Sequence, residues 1–293
     1  KPRSMKFTLR IMKMAGLNKT IWICWFQGWD KAPEISRRCL ESWKHYNPGW
    51  DIVLLDNDNY KEYISVDEKL PGLDCNYIAL GDIVRVFLLH EHGGVWADST
   101  VWCNKPLDSW IHDYGDSFFC TRGDEIYHLP HLKRVLETWF MMAKPNSYMY
   151  KKMYEGTIEH WTYRINETDQ FEHRYAPINI MLDGLLKSDP KIVELFKSRD
   201  HIDVRHDYAN QSHTGRYGNG PHLLNPYPKS FFLPIESHIK NRIDAKIDPF
   251  YKLTYKEQTD WRSPGMKGFH PADEVISLKM NKGSAIDYLL NTI

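Results

Sequence analysis

His90-Glu-His-Gly-Gly-Val-Trp-Ala-Asp-Ser-Thr-Val-Trp102 is the stretch on which the fold turns. Upstream of it, Asn76 to His92 carries Ile83, Val86, Phe87 and Leu89 at helical spacing, an amphipathic helix facing a core. Gly93-Gly94 stops that helix, because glycine accepts the left-handed conformation in which helices commonly end. Val95-Trp-Ala-Asp98 then reads as a short strand that Ser99 to Cys103 continues. A lone carboxylate, Asp98, stands in the middle of this run, with Ser99 and Thr100 after it.

Working outward, Thr20-Ile-Trp-Ile-Cys-Trp-Phe26 is a short β-branched and aromatic run ended by Gly28, the pattern of a buried strand. Pro33 opens a helix to about Tyr46, with Ile35, Cys39 and Trp43 on one face. Asn47-Pro-Gly49 breaks it, and Asp51-Ile-Val-Leu-Leu55 is the next strand. Strand, helix and strand joined by short connections begin a parallel α/β sheet. Asp56 falls just past a strand's C-terminal end, where such sheets bind ligands. Further on, the periodicity predicts helices over 133–142, 149–161, 177–187 and 191–198, and strands near 230–233 and 250–255. There are no internal repeats and no long linker. A basic segment, 1–19, followed by a single domain, 20–293, with an irregular C-terminal part is the expected organisation.

Lys and Arg total 38 against 38 Asp and Glu, which argues against a nucleic-acid binder, since such a protein gains from a cationic excess. No apolar run is long enough for a membrane-spanning helix, and no signal-peptide pattern opens the chain. The 1–19 segment interleaves Lys1, Arg3, Lys6, Arg10, Lys13 and Lys19 with apolar side chains, so it suits either an anionic membrane surface or a solvated tail. The five cysteines, Cys24, Cys39, Cys75, Cys103 and Cys120, show no metal-ligand spacing and read as reduced core thiols. Together these features favour a cytoplasmic protein with peripheral membrane contact through 1–19. Aromatic residues reach 14%, including 11 Trp and 17 Tyr. Such rings pack a core or line a groove for sugars or bases, and composition does not separate the two.

The order of motifs is more specific. Ile21-Trp-Ile-Cys-Trp-Phe-Gln-Gly28, Ala32-Pro-Glu34, Glu41-Ser-Trp-Lys44, Gly81-Asp-Ile-Val-Arg85, His92-Gly-Gly-Val-Trp-Ala-Asp98, Asn104-Lys-Pro-Leu107, Trp139-Phe-Met-Met-Ala143 and Lys252-Leu-Thr-Tyr-Lys256 resemble, in sequence order, the capsular polysaccharide synthesis glycosyltransferases. These are relatives of glycosyltransferase family 32. The first half of the chain is covered densely and the second half in patches. The resemblance implies a GT-A fold: a Rossmann-like α/β architecture whose mixed, mostly parallel sheet is flanked by helices. It also implies a nucleotide-sugar donor, a glycan or polysaccharide acceptor, and a retaining outcome.

What the resemblance implies for individual residues follows. Asp82 and Arg85 would bind the donor's sugar and ribose, although spacing alone favours a surface ion pair. Asp98 would be the first acid of an Asp-x-Asp whose second acid usually ligates Mn²⁺ or Mg²⁺. Here Thr100 stands in that second place, offering only a neutral oxygen where a hard cation wants carboxylates. Metal could still bind through Asp98, with His270 the preferred C-terminal ligand over His222 and His238. Alternatively, Lys252 and Lys256 could carry the phosphate charge. Trp25 and Gln27 follow the first strand, where the nucleobase would stack and pair. The Arg216–His222 loop and Trp261 are candidates to close over the donor, and Asp124 and Glu125 for the acceptor side. The rival reading is a sugar-binding pseudoenzyme that keeps the fold without catalysis.

Overall fold

The computed structural model describes residues 16–113, 115, 117–121, 136–166, 177–197, 202–203, 234–235, 237–253 and 282–293. The described residues fall into two compact units. The first draws on Lys1–Asp30, Gly49–Asp98 and Trp110–Asp203, the second on Lys31–Pro48, Ser99–Ser109 and Val204–Ile293.

The first unit is a six-stranded mixed sheet with helices packed on it. Its strands are β1 (Thr20–Cys24), β2 (Asp51–Leu55), β3 (Gly94–Ala97), β5 (Ser117–Thr121), β6 (Leu136–Ala143) and β7 (Ile202–Asp203). They lie in the order β2-β1-β3-β6-β5-β7. β1 pairs parallel with both β2 and β3, and β5 with β7, while β6 runs antiparallel between β3 and β5. The α/β class and the mixed, mostly parallel sheet are therefore as expected.

Helix α2 (Tyr77–Glu91) begins where Asn76 accepts hydrogen bonds from the backbone N–H groups of Ile78 and Ala79, both at 3.0 Å. Asparagine favours this capping position because its side-chain oxygen satisfies N–H groups that the helix leaves open. Residues 79–89 are buried on every side of α2, not along one stripe, which makes it the central helix of this unit. Its Ile83, Val84, Val86, Phe87, Leu88 and Leu89 join Trp22, Leu55, Trp96, Met141 and Tyr150 in one core. α3 (Tyr148–Asn166), α4 (Pro177–Ser188) and α5 (Pro190–Lys197) complete the unit, near their expected positions.

In the second unit, α1 (Glu34–Tyr46) packs with β4 (Val101–Cys103) and β8 (Phe250–Lys252), which pair antiparallel. α6 (Ser237–Asp244) and α7 (Ala285–Leu290) finish it. Ile35, Cys39, Trp102, Ile239, Ile243, Tyr251, Ile286 and Leu289 form its core. Side chains of α1 tie β4 in place: Trp43 Nε1 donates to the Val101 carbonyl at 2.7 Å, and the Cys103 N–H donates to Ser42 Oγ at 2.8 Å.

Two expectations are corrected. The run expected as a helix over 133–142 is the strand β6 from Leu136 onward. Leu, Glu and Met favour helices, but pairing on both sides, with Trp139 to Ala143 buried, overrides that weak preference. The strand expected to continue from Val95 through Cys103 is broken at residues 98–100. The Asp98 N–H donates to the Trp139 carbonyl at 2.9 Å, ending the large sheet, and Val101–Cys103 joins β8 instead. The strand expected near 230–233 lies outside the described residues. Four described cysteines, Cys24, Cys39, Cys75 and Cys103, form no disulfide. No described helix is long and apolar enough to cross a membrane.

The glycine pair has a steric reason. Gly94 has φ +93°, and a Cβ there would sit 2.5 Å from the Thr20 carbonyl oxygen of the neighbouring strand. Gly94→Ala should cost about 3 kcal/mol, combining backbone strain and clash. Gly49→Ala is the control, since nothing lies within 4 Å of its Cβ and its φ is not in the left-handed region. Urea denaturation of both variants measures the difference, and equal losses would refute the steric account.

Candidate functional site

In the first unit, β2, β1 and β3 run parallel and end together in the chain segments Asp56, Trp25–Gln27 and Asp98. Crevices outside the C-terminal ends of parallel strands are where open α/β sheets bind ligands. Cys24, the last residue of β1, reports on this neighbourhood. Burial pushes its thiol pKa far up, the positive charge of Arg85 opposes that, and the carboxylates of Asp98 and Asp56 reinforce it.

Arg85 is the hub. Its Nε donates to the Gly81 carbonyl at 3.0 Å within α2, and its Nη1 to the Thr138 carbonyl of β6 at 2.6 Å. Its Nη2 stands 3.3 Å from Asp82 Oδ1 and 3.7 Å from Asp98 Oδ1. Its guanidinium carbon lies 5.1 Å from the centre of the Trp96 ring, a cation–π distance. Trp96 in turn donates from Nε1 to Asp98 Oδ1 at 2.9 Å. Asp82 and Arg85 are thus no exposed ion pair. Their side chains are about a tenth exposed, whereas that of Asp98 is 28% exposed and is the most accessible of the three.

The remaining expected residues take varied places. Asp56 accepts from the backbone N–H groups of Asp58 and Asn59 at 2.9 and 3.0 Å, so it also shapes its own turn. Trp25 is half-buried, with its backbone N–H donating to the Leu55 carbonyl, and Gln27 is exposed. Lys256 and His270 lie outside the described residues, as do Asp124, Glu125, His222, Trp261 and the 216–222 loop. The side chain of His238 lies outside them too.

Trp96 belongs to the His92–Asp98 motif but had no role of its own in the sequence reading, although it stands only two residues before Asp98. A recess beside Asp82 was also missed. It is lined by Ile83 of α2, Thr157, His160 and Trp161 of α3, and Ile178 and Met181 of α4. The only hint in the sequence was the placement of Thr157, His160 and Trp161 at three- and four-residue spacing.

In the second unit, Thr100 is buried and its hydroxyl accepts a hydrogen bond from Lys252 Nζ at 2.8 Å. The Leu253 N–H donates to the Thr100 carbonyl at 2.8 Å, which fixes the register of this contact. Next to it, Ser36 Oγ donates to Ser99 Oγ at 3.3 Å. Burial pushes the Cys39 thiol pKa up, and the positive charges of Lys252 and Arg38 oppose it.

These contacts test the expected divalent cation. Asp98 already accepts from Trp96 and faces Arg85, while Thr100 presents a neutral oxygen to an ammonium. A divalent cation about 4 Å from an ammonium meets a repulsion of about 8 kcal/mol at an effective dielectric of about 20. Among the described residues, no three His, Cys, Asp or Glu side chains cluster as a metal site.

With this geometry in place, the affiliation of the chain follows from comparison. The family model described as "Capsular polysaccharide synthesis protein" matches residues 3–267, and the chain belongs to that family. It is 32% identical over 72 residues to inositol phosphoceramide mannosyltransferase 3 of Schizosaccharomyces pombe (strain 972 / ATCC 24843), covering 22% of this chain and 20% of that protein. It is 22% identical over 198 residues to the O-glycosyltransferase PaGT of Phomopsis amygdali, covering 61% of this chain and 48% of that one. The chain thus spans between a fifth and a half of the length of these two relatives. Among solved structures, PaToxG Glycosyltransferase aligns at TM-score 0.42 and 11% identity, over 67% of this chain and 82% of that one.

The hub carries a stability prediction. Arg85→Met takes a facing guanidinium from two buried or half-buried carboxylates and should cost about 3 kcal/mol. Adding Asp82→Asn should recover part of that loss in a double-mutant cycle measured by urea denaturation. Strict additivity would mean that the two side chains do not interact.

The recess carries a second. Burial holds the His160 pKa below the ordinary imidazole value, with Arg164 adding to the effect, and burial lowers His90 likewise. Below about pH 6.5 the unfolded chain takes up protons that the folded one refuses, so stability present above that pH is lost as pH falls through it. His160→Gln should flatten part of this slope in a pH series of melting temperatures. An unchanged slope would mean that His160 is not the group responsible.

Proposed function

We propose that the protein is a glycosyltransferase that moves a sugar from a nucleotide-sugar donor, UDP-linked by preference, to a hydroxyl of a glycan or polysaccharide, with retention. The observation that carries this reading is the joining of Asp82, Arg85 and Asp98 beside the C-terminal ends of β1, β2 and β3. Carboxylates held in fixed positions suit the hydroxyls of a sugar or ribose, each of which donates a hydrogen bond to a carboxylate oxygen. Arg85 keeps both acids in place before any ligand arrives, so little is spent on reorganisation during the reaction. Trp25 and Gln27, at the end of β1, suit the stacking and edge recognition of a base.

In the transfer, the bond from the anomeric carbon to the donor's phosphate oxygen breaks, and a bond to the acceptor oxygen forms. The acceptor proton passes to the departing diphosphate, so no dedicated carboxylate base is needed. Charge developing on that diphosphate is the main barrier, and preorganised positive charge is the main means of lowering it.

A donor panel tests the reading. UDP-sugars, and GDP-mannose because one relative is named as a mannosyltransferase, are screened for a rise in melting temperature, which needs no knowledge of the acceptor. Asp98→Asn should then lower release of nucleoside diphosphate from the bound donor by about 100-fold or more while keeping the fold. Near-normal release would sink the assignment of Asp98. A donor that binds the wild-type protein but is never cleaved, with water or any glycan, would mark a pseudoenzyme.

A further inference from the structure

Tyr77 is left without a role by the proposed reaction, although it stands in the first unit beside the cluster that the reaction uses. α2 is buried on every side over 79–89, yet its first two residues, Tyr77 and Ile78, are 45% and 44% exposed. The Tyr77 ring is nonetheless held. It lies on the ring of Phe26, with centroids 5.2 Å apart and planes 14° from parallel, and Phe26 is itself buried with Tyr60 edge-on at 5.9 Å. With one face covered by Phe26, the exposed surface of Tyr77 is its other face and its edge. The Phe26 carbonyl accepts from the Asn57 N–H at 3.1 Å, which seats this stack between the chain segments that follow β1 and β2. It also adjoins Arg85: the point where a Cβ on Gly81 would stand is 3.7 Å from Phe26 Cε2 and 3.6 Å from Arg85 Nη2. Tyr77, Gly81 and Arg85 follow one another at four-residue spacing and so share one face of α2.

We propose that the open face of Tyr77, backed by Phe26, is the stacking surface for the nucleobase of the donor. This role rests on the donor reading above and deepens it by naming a residue that grips the base. A ring already fixed against a second ring loses little freedom when a third stacks on it, so the contact is preorganised. A sugar would also pack on such a face, but the neighbours decide for a nucleotide. One end of this face of α2 is aromatic, and the other carries a guanidinium beside two carboxylates. That order suits a flat base followed by ribose hydroxyls and phosphate. Trp25 is half-buried whereas Tyr77 is exposed, so Tyr77 offers the base the more accessible ring and leaves its edge to Gln27.

The test measures UDP and GDP binding to the full chain by titration calorimetry, in Mn²⁺ and again in EDTA. Wild-type protein should bind one of them in at least one condition. Tyr77→Ala should weaken that binding about 10- to 100-fold, the loss expected when one base–aromatic stack is removed. Tyr77→Phe keeps the ring face and should stay within about threefold of wild type. Tyr163→Ala removes a ring that is 63% exposed on α3, and it should leave the affinity unchanged. Melting temperatures separate misfolding from lost affinity. If Tyr77→Ala melts too low to titrate, Tyr77→Leu keeps apolar contact with Phe26, lacks the aromatic face and should lose about 10-fold. Full affinity in Tyr77→Ala or Tyr77→Leu would overturn the inference and leave the ring to the acceptor glycan, with the donor reading intact. A loss in Tyr77→Phe as large as in Tyr77→Ala would overturn it too, since the hydroxyl and not the face would then be the contact. No binding of either nucleotide in either condition would overturn the donor reading and this inference together.

Discussion

A guanidinium with a tenth of its surface in water has to be paired, and the first unit is organised around the pairing of Arg85. Removing such a charge from water costs several kcal/mol unless hydrogen bonds and opposite charges replace the lost hydration. Arg85 draws those replacements from α2 itself, from a carbonyl of β6, from the acid one turn earlier and from the acid at the end of β3. These partners lie on three stretches of chain, α2 itself, β6 and the end of β3, so the same contacts that hold the charge also hold helix to sheet. The residues proposed for chemistry are therefore part of the structural frame.

The parallel strands divide the work. β2, β1 and β3 each end in a short segment, and each segment brings one kind of group: Asp56, the Trp25–Gln27 pair, and Asp98. β6 runs the other way and contributes backbone carbonyls, receiving Arg85 at Thr138 and the Asp98 N–H at Trp139. Trp96 links the two roles. It is buried in the core, stacks against the guanidinium and donates to Asp98.

Local features were legible in the sequence. Asn76 and the Gly93-Gly94 pair bound α2 as their chemistry dictates, and the alternation of short apolar runs with helical periods marked β1, α1 and β2. Asp82, Arg85 and Asp98 stood out through the motif order that marks the family. What could not be read depended on partners distant in sequence. Leu136–Ala143 has the residues of a helix and becomes a strand because two neighbours pair with it. Ser99–Cys103 continues β3 by pattern, yet its partner is β8, and no local signal records that switch. The recess residues His160 and Trp161 look like ordinary positions of an amphipathic helix until α2 and α4 are packed beside them.

The pairing of β4 with β8 has a consequence for how the protein is made. Thr100 and Lys252 are 152 positions apart, so on a ribosome the first strand waits roughly 10–30 s for the second at ordinary elongation rates. Closing so long a loop is entropically costly, and pairings of this kind form late. Until β8 arrives, β4 has no strand to pair with, and Trp102 lacks Tyr251 and Leu253 as core neighbours. The first unit has every strand of its sheet by Asp203, well before that moment. Synthesis thus runs ahead on one unit while β4 of the other has α1 on one side and no β8 at its edge, and that interval is where a chaperone has most to protect.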